Sequence, residues 1–482
     1  MSPIFEIPAS DLASLLPELI LVVAGCVLLL LEAFVPALRR AYHLLAIAAV
    51  GVAAWAVHGL GQGASFHGLI ESSPLTGAFS QAILIATLLG LLAAPGYLSR
   101  ERLLAGEYPA LVLWGAAGML LLVRGVELLT LFLALEVLSV ALYGLAAFHR
   151  REAFSAEAAL KYFLMGAFVS SFVVYGIALV YGETGSTRLD GIAAALATGQ
   201  GSPGLLLLGF LMLFSGFAFK LSLVPFHAWA PDVYQGAPSP VVAFLSVAPK
   251  VAAAVVLVRV VTLIADSPLA GGWPDLVAAI SVLSMLVGNL FALVQRDINR
   301  MLAYSGIAHM GYLMIPLAAP GAETWRPVLV YLVAYVLMNA GAFAIVAMLY
   351  AKPGEQHAIA SLAGWGYRFP LLSGCLTVCM VSLAGIPPTA GFIGKYLVFL
   401  HAISHDRLGL ALAGVAASLI GVAFYLRVVY MLYMKPEIAA PERTAIDFYG
   451  RVAAVVAAGG SIVLGIWPQP FLSWVVGSLA GL

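Results

Sequence analysis

The feature that most constrains this chain is a succession of long, continuous apolar runs, separated by short segments with charged residues, glycine or proline. Hydrophobic residues make up 63% of the 482 positions and charged residues only 10%, whereas soluble domains are about half apolar and a quarter charged. The 23 basic and 23 acidic residues cancel. This composition excludes a soluble enzyme, a disordered chain and a nucleic-acid-binding protein. The unbroken runs also exclude a membrane β-barrel, whose strands alternate.

Because a helix needs about 20 apolar residues to cross a bilayer, we predict an all-α integral membrane protein with about fourteen transmembrane helices. The predicted spans are 12–34, 41–58, 76–98, 108–123, 126–148, 157–182, 204–230, 238–263, 273–294, 299–318, 326–350, 370–402, 409–433 and 452–478. The seventh contains Pro225 and the twelfth contains Pro387-Pro388. Both are predicted to be broken helices, since proline lacks an amide donor and clashes with the preceding turn.

Basic residues are unevenly distributed between the two sets of loops. Loops after odd-numbered spans contain thirteen, namely Arg39, Arg40, Arg100, Arg102, Arg150, Arg151, Arg296, Arg300, Lys352, Arg368, Lys435, Arg443 and Arg451. Loops after even-numbered spans contain four, namely Arg124, Arg188, Arg326 and Arg407. The positive-inside rule therefore predicts that the first set of loops faces the cytoplasm and that both termini lie on the outer side.

The spacing of the two broken helices predicts an internal repeat. Segments 108–263 and 273–433 each hold five predicted helices, and the broken helix is the fourth in each. An odd number of spans makes the two segments inverted repeats, an arrangement that transporters use to build ion sites beside broken helices. Residues 1–107 would form a three-helix N-terminal extension and residues 434–482 a C-terminal helix.

Charged side chains inside predicted spans are the strongest functional signal. A cation at the bilayer centre costs at least about 2.5 kcal/mol, yet four of the six lysines lie in spans: Lys161, Lys220, Lys250 and Lys395. Glu136 is the one carboxylate predicted to lie deep in the membrane. Lys161 lies only about one turn inside its span, so a lysine that extends to the membrane surface is the alternative there. Arg259 and Arg427 lie toward helix ends, from which their side chains can extend to the membrane surface, and Arg259 is predicted to be structural.

Two histidines extend this set of candidates. His227 follows Lys220 by seven residues, about two helical turns, so the two side chains are expected to share a face if the proline break leaves the helical spacing intact. His309 lies inside the tenth span. For both, a histidine that is hydrogen-bonded for structural reasons is the alternative.

Together these residue types are suited to moving protons. A lysine in a low-dielectric environment loses its proton more readily, and a nearby carboxylate opposes that loss. Moving the carboxylate therefore switches the lysine between holding and releasing a proton. The sequence has no phosphate-binding loop, and its three cysteines have no iron–sulfur or haem spacing. The energy must come from an ion gradient or from other subunits.

Four stretches of the chain are distinctive: LALEVLSVALYGL around Glu136, FKLSLVPFHAWAPDVYQGAPSPVVAFLSVAPK from Lys220 to Lys250, RDINRMLAYSGIAHMGY, and SLAGIPPTAGFIGKYLVF around Lys395. In these stretches, and over essentially its whole length, the chain resembles the antiporter-like membrane subunits of proton-pumping NADH:quinone oxidoreductase, respiratory complex I. The resemblance implies fourteen helices with two inverted five-helix repeats, each with a broken fourth helix.

The resemblance also implies roles for individual residues. It implies that Lys220 is the main proton-carrying lysine of a first half-channel and that Glu136 is the carboxylate that tunes it. It implies that Lys250 is the central connecting lysine and that Lys395 is the terminal lysine of a second half-channel. Lys161 and His227 are implied as further functional positions. No cofactor or metal is expected on this chain. NADH, FMN, iron–sulfur clusters and quinone would be bound on or between other subunits. The expected partners are other complex I membrane subunits, including neighbouring antiporter-like subunits, the lipid bilayer and the protons themselves.

Three other interpretations stay open at this point. Subunits of multisubunit Na⁺/H⁺ antiporters share the implied fold and ion-handling residues. A purely structural membrane arm would not need four lysines and a glutamate inside spans. A quinone-binding enzyme would need an electron donor, and the sequence offers none.

Overall fold

The structure is a computed structural model that describes residues 8–349, 358–436 and 446–480, with Arg40 and Leu349 described by their backbone alone. Lys352 and Arg443, two of the basic residues that predict the orientation, lie outside the described residues. The described chain is a bundle of helices with one small β-hairpin.

The N-terminal part contains five helices and the hairpin. The helices are α1 Ala9–Ser14, α2 Leu16–Phe34, α3 Arg39–His58, α4 Pro74–Leu92 and α5 Pro95–Arg100, with 3₁₀ turns at Pro36–Leu38 and Phe66–Gly68. The strands β1 Gly63–Ser65 and β2 Ile70–Ser72 pair antiparallel, with Gly63 opposite Ser72. The hairpin was not predicted, because strands of three residues are too short to produce a periodic pattern.

The middle of the chain contains eight helices. They are α6 Glu107–Arg124, α7 Leu128–Ala146, α8 Ala153–Thr184, α9 Leu189–Ala197, α10 Pro203–Leu221, α11 Trp229–Gly236, α12 Ser239–Leu245 and α13 Ala248–Ala265, followed by a 3₁₀ turn at Pro268–Ala270.

The C-terminal part contains ten further helices among the described residues. They are α14 Trp273–Val294, α15 Ile298–Leu317, α16 Trp325–Tyr335, α17 Gly341–Leu349, α18 Trp365–Arg368, α19 Pro370–Ala384, α20 Ala390–Ser404, α21 Leu408–Met434, α22 Phe448–Ile466 and α23 Gln469–Leu479. A π-helical segment, Val336–Ala340, joins α16 to α17, and 3₁₀ turns lie at Ala322–Thr324 and Ile359–Leu362.

Twelve segments within the described ranges are long and apolar enough to cross a membrane. Helix α15 corresponds to the tenth predicted span, and the shorter apolar helices α19 and α20 correspond to the two halves of the twelfth. The prediction of a multi-pass, α-helical membrane protein is confirmed.

Both predicted helix breaks are present. Helix α10 ends at Leu221, and α11 begins at Trp229 after a non-helical stretch that contains Pro225. Helix α19 ends at Ala384, and α20 begins at Ala390 after Pro387-Pro388. The prolines account for both interruptions, since they remove amide donors that a continuous helix would need.

Three further breaks were missed, so the predictions of continuous helices over 76–98, 238–263 and 452–478 are wrong. The first separates α4 from α5, which begins at Pro95. The second separates α12 from α13 at Ser246 and Val247, and Pro249 occupies the first turn of α13. The third separates α22 from α23 at Trp467-Pro468. In each case a proline begins a new helix, where its missing donor costs nothing.

The centre of the bundle is formed by α12, α13 and the α16–α17 segment. Every residue of the most apolar window in Ser239–Ala265 is buried within the protein, against 28% for Leu16–Phe34. Helix α13 packs against α4, α6 and α10. The α12–α13 break thus lies at the middle of the bundle, where side chains rather than lipid surround the exposed backbone groups.

Three buried or partly buried arginines bind groups at helix ends. Arg259 donates to the Gly125 carbonyl at the end of α6 at 2.6 Å, and Arg427 donates to two carbonyls at the end of α14. Both arginines thus bind carbonyls at helix ends, which agrees with the structural role predicted for Arg259. Arg124, predicted in a loop, is instead the last residue of α6 and is only 2% exposed.

Arg124 forms a buried ion pair with Glu18 of α2. Its Nη1 lies 2.7 and 2.9 Å from the two carboxylate oxygens, and its Nη2 donates to Ser72 Oγ of β2 at 2.8 Å. One side chain therefore joins the first long helix, the hairpin and α6.

We predict that Glu18→Ala destabilises the protein by about 3 kcal/mol, because it leaves the Arg124 charge buried without its carboxylate partner. The measurement is the thermal unfolding midpoint of the detergent-purified protein. Asp190→Ala is the matched control, since the Arg188–Asp190 pair is exposed to solvent and should leave the midpoint unchanged. Equal midpoints for Glu18→Ala and Asp190→Ala would contradict this role.

Candidate functional site

Three lysines, which we call the lysine row, are buried inside the bundle: Lys220 is 5% exposed, Lys250 1% and Lys395 5%. Lys220 lies in the last turn of α10, Lys250 in the first turn of α13, and Lys395 in the second turn of α20. Each therefore lies within a few residues of a helix break. Non-helical backbone therefore lies next to each of the three buried lysines.

Lys220 is surrounded by aromatic rings. Its Nζ lies 5.3 Å from the ring centre of Tyr143 and 5.2 Å from that of Tyr162, distances suited to cation–π attraction. No residue of the described chain accepts a hydrogen bond from it. The charge of Glu136 on α7 acts on this lysine, and Ser170 Oγ donates to Glu136 at 2.6 Å. The structure thus brings Glu136 and Lys220 into electrostatic contact without a direct ion pair.

Lys250 is bonded to a tyrosine that the sequence analysis did not single out. Its Nζ donates to Tyr335 Oη at 3.3 Å and lies 5.9 Å from the ring centre of Tyr234. A Cβ on Gly306 would lie 3.0 Å from both Lys250 Nζ and Tyr335 Oη. The missing side chain at Gly306 leaves room for this contact.

An aromatic stack extends from Lys220 toward Lys250. The Tyr162 ring, beside Lys220, stacks on Trp229 with 4.5 Å between ring centres. Trp229 in turn contacts Tyr234, which lies beside Lys250. Within the described chain, the hydroxyl groups of Tyr162 and Tyr234 have no hydrogen-bond partner.

His309 lies beyond Lys250 and is bonded through both ring nitrogens. Its Nδ1 lies 2.7 Å from Tyr331 Oη and its Nε2 3.1 Å from Tyr425 Oη. The ring is centred 5.4 Å from that of Tyr335, which holds Lys250. A neutral imidazole in this setting can accept a proton at one nitrogen and donate at the other.

Lys395 binds the end of the broken helix that precedes it. Its Nζ donates to the carbonyls of Leu383 and Ala384 at 3.1 and 3.0 Å and to Ser418 Oγ at 2.7 Å. The carbonyls are free because α19 ends there. The Nζ also lies 4.8 Å from the ring centre of Tyr312, three residues after His309.

Gly385 makes room for Lys395. It adopts φ +79°, a conformation that favours glycine. A Cβ at this position would lie 2.7 Å from Lys395 Cδ. Both the backbone and the lysine side chain therefore require glycine here.

Lys161 lies apart from the lysine row, in a half-exposed ion-pair cluster. Its Nζ lies 2.8 Å from Glu157 and 2.9 Å from Asp232, and Arg300 lies 2.6 Å from the other oxygen of Asp232. Asp232 on α11 was missed, because its position next to a proline break resembles that of an ordinary loop residue. The side chain of Lys161 is 44% exposed, which agrees with the alternative of a lysine near the surface.

His227 is not placed as the helical spacing predicts. Helix α10 ends at Leu221, so His227 lies in the non-helical stretch and the argument for a face shared with Lys220 is wrong. No hydrogen bond between described residues joins the two. His227 is half-buried, and its Nδ1 has no partner within the described chain.

The residues missed by the sequence analysis are mostly tyrosines. Tyr331 and Tyr335 are four residues apart on α16, so they share a face. Tyr312, Tyr425 and Ser418 complete the contacts of His309 and Lys395. The available signal was the presence of tyrosines inside otherwise apolar spans, since a buried hydroxyl group needs a partner.

No group of three or more histidine, cysteine, aspartate or glutamate side chains in the described ranges is arranged to hold a metal ion. Cys375 and Cys379 are buried free thiols, and Cys379 lies beside Gly341 at the start of α17. The polar groups along the lysine row are ammonium, carboxylate, imidazole and hydroxyl groups, all of which exchange protons.

Comparison with known proteins identifies the family to which the chain belongs. Residues 126–421 match the family described as NADH:quinone oxidoreductase/Mrp antiporter, transmembrane. The chain belongs to this NADH:quinone oxidoreductase/Mrp antiporter family. Among its relatives in the family, NADH-quinone oxidoreductase subunit N of Trichlorobacter lovleyi is 40% identical over 468 residues, which cover 96% of each chain.

Two solved structures have the same fold as this chain. A chain of respiratory complex I from Thermus thermophilus with bound aureothin is 33% identical, with a TM-score of 0.82, covering 95% of this chain and 98% of that one. A chain of the Mrp complex from Dietzia sp. has a TM-score of 0.82 at 19% identity, covering 97% of both chains. The second likeness shows the fold alone.

We predict that Gly385→Ala destabilises the protein, because the left-handed conformation costs an alanine about 1–2 kcal/mol and the methyl group displaces Lys395. Gly459→Ala on α22 is the control, since a Cβ there meets nothing within 4 Å. Thermal unfolding of the detergent-purified variants is the measurement. An unfolding midpoint for Gly385→Ala equal to that of Gly459→Ala would contradict the packing described for Lys395.

Proposed function

We propose that this chain is a membrane-arm, antiporter-like subunit of a bacterial proton-translocating NADH:quinone oxidoreductase, and that it carries protons along the lysine row. Support comes from membership of the family, from 40% identity to a relative named subunit N, and from the likeness to a complex I chain. The proposed location is the bacterial inner membrane.

The observation that carries the proposal is a series of buried side chains in contact from Lys220 to Lys395. It passes along the rings of Tyr162, Trp229 and Tyr234 to Lys250, and then along Tyr335, His309 and Tyr312. Burying cations in an apolar bundle is costly, and a bundle that only needed to pack would use apolar side chains here.

The first proposed step is electrostatic. While Glu136 is close, its negative charge favours the protonated form of Lys220. When a neighbouring subunit draws that charge away, Lys220 gives up its proton toward Lys250, because burial favours the neutral amine. Ordered water would bridge the two, since the hydroxyl groups of Tyr162 and Tyr234 are buried without a protein partner in the described chain.

The second step passes from Lys250 through Tyr335 to His309. Lys250 donates to Tyr335, and the His309 ring lies against Tyr335. Protonation of His309 on one nitrogen and release from the other moves the charge without moving the ring.

The third step ends at Lys395. The free carbonyls at the end of α19 stabilise its ammonium form. Ser418, which also accepts from Lys395, and the adjacent Tyr312 complete the lining. The ammonium form of Lys395 is thus stabilised by hydrogen bonds, and proton exchange with His309 is the proposed way for Lys395 to become neutral.

The architecture that we propose has fourteen membrane crossings. The segments 108–263 and 273–433 form two inverted five-helix repeats, each a half-channel whose fourth helix is broken. Residues 1–107 form the N-terminal extension, and 434–482 the C-terminal helix. Both termini face the outer side, as the basic-residue distribution predicts.

The driving energy is proposed to come from redox chemistry elsewhere in the complex. Moving one proton against 100 mV requires about 2.3 kcal/mol. NADH, FMN, iron–sulfur clusters and quinone are proposed to lie on or between other subunits, and neighbouring antiporter-like subunits would deliver the electrostatic signal to Glu136. Such a coupling requires evidence beyond proximity.

The second candidate function is that of a subunit of a multisubunit Na⁺/H⁺ antiporter. The fold shared with the Dietzia Mrp chain favours it. The identity to that chain is 19%, however, against 40% to the subunit N relative.

We predict that Lys220→Ala, Lys250→Ala and Lys395→Ala each lower NADH-driven proton pumping by about tenfold or more, since each removes a proton-exchanging group. The measurement is proton uptake by vesicles that contain the complex, with the amount of assembled complex determined in parallel. Lys435→Ala is the matched control, because Lys435 is exposed beyond the end of α21.

If all three single variants assemble and pump protons at the normal rate, only a structural role is left for the chain. Glu136→Gln adds a second test, because glutamine keeps the oxygen that accepts from Ser170 and loses only the charge. Slower pumping with full assembly is expected for this variant.

A further inference from the structure

Two histidines that the proposed route does not use lie between Lys395 and the surface. His401 is six residues after Lys395 on α20, about 9 Å farther along the helix axis, and is 6% exposed. His405 follows the end of α20 and is half-buried. The two rings stack with 4.1 Å between their centres. A buried and a partly exposed imidazole thus form a contiguous pair that reaches the surface.

The partners of His401 are polar groups at the end of α15. Its Nε2 lies 3.1 Å from the Ala319 carbonyl, and the Pro316 carbonyl also acts on it. Tyr312 lies on α15, which ends at Leu317, and Ala319 follows in the turn after that helix. Tyr312 contacts Lys395, and Ala319 contacts His401. Helix α15 and the turn after it therefore contact both ends of the interval.

Pro316 lies between these two contacts. As a residue inside α15, it has no amide hydrogen to donate to the Tyr312 carbonyl four residues earlier. The Tyr312 carbonyl thus lacks its usual helical donor in the part of α15 between these two contacts. Such a group can hold a water molecule in an otherwise apolar interval.

The surface end of the pair carries a negative charge. Glu323 is exposed in the turn after α15, and its charge acts on His401. The turn with Glu323 follows the tenth predicted span, and His405 follows the twelfth. The basic-residue distribution assigns both to the outer side. An acidic group at this rim favours the arrival of a proton from the interior.

We propose that His401 and His405 carry protons from Lys395 to the outer surface, with His401 as the buried carrier and His405 as the exchange group with solvent. This inference rests on the proposed function of the lysine row. The proton leaves the Lys395 ammonium through water beside the Tyr312 carbonyl and binds an imidazole nitrogen of His401. It then passes to His405 and to bulk water, with no bond other than N–H and O–H made or broken.

A purely structural role of His401 and His405 predicts a different response to substitution. A histidine at the C-terminal end of a helix can simply donate to its last carbonyls. Glutamine can supply that same donor but cannot carry a proton, so His401→Gln separates the two roles. His405→Asn does the same for the Nδ1 contact that His405 makes with the His401 carbonyl at 2.8 Å.

The experiment uses the whole complex purified from its native membrane and reconstituted in vesicles, with NADH-driven proton uptake as the readout. We expect His401→Gln and His405→Asn to slow pumping by about tenfold with assembly intact. We expect His401→Ala to recover several-fold when imidazole is added, because a free imidazole replaces the missing carrier. His58→Gln is the control, since His58 is exposed at the end of α3.

The outcomes separate this inference from the proposed function. Wild-type pumping by His401→Gln and His405→Asn, with loss in Lys395→Ala, would overturn the outlet and leave the lysine row in place. Loss in His401→Gln without recovery of His401→Ala by imidazole would assign His401 a structural role and overturn the outlet. Normal pumping by complexes with Lys395→Ala would overturn both the outlet and the proposed role of the lysine row. If His401→Ala does not assemble, the same comparison is made with His405→Ala and imidazole.

Discussion

Burial of three ammonium groups in an apolar helical bundle is the constraint on which the rest of this structure depends. Each cation needs compensation that hydrocarbon cannot give, and each lies beside a helix break. Lys395 binds carbonyls that the end of α19 leaves free. Lys250 begins α13 directly after the α12–α13 break and donates to Tyr335. Lys220 ends α10 among aromatic rings, with Glu136 as its charge partner. The prolines that break the helices are therefore part of how the charges are accommodated.

The two halves of the lysine row solve this problem differently. Between Lys220 and Lys250, the hydroxyl groups of Tyr162 and Tyr234 have no protein partner within the described residues. Between Lys250 and Lys395, His309 is bonded through both nitrogens. Hydrogen bonds to protein groups fix positions, whereas unpartnered buried groups depend on water. The first half is accordingly suited to control by hydration and by the position of Glu136, and the second to conduction along a fixed network.

Much of this arrangement was predictable from the sequence, because the cost of a buried charge makes Lys220, Lys250, Lys395 and Glu136 conspicuous in apolar runs. The breaks at Pro225 and at Pro387-Pro388 followed from proline geometry. The break before Lys250 could not be predicted in this way, because a proline such as Pro249 is compatible both with the start of a helix and with a kink inside one. The prediction that His227 and Lys220 share a helix face was wrong, because the helix ends at Leu221, between the two residues. The tyrosines around His309 come from α15, α16 and α21, and no local pattern brings three separate helices together.

The most direct test of the central claim is a gentle detergent pull-down of the tagged chain from its native membrane, followed by reconstitution of what co-purifies. The account predicts a large complex with inhibitor-sensitive NADH:quinone reductase activity that pumps protons in sodium-free medium. A complex that does not oxidise NADH but produces sodium-dependent pH changes would contradict it. The chain would then be an antiporter subunit, with the same buried lysines driven by an ion gradient.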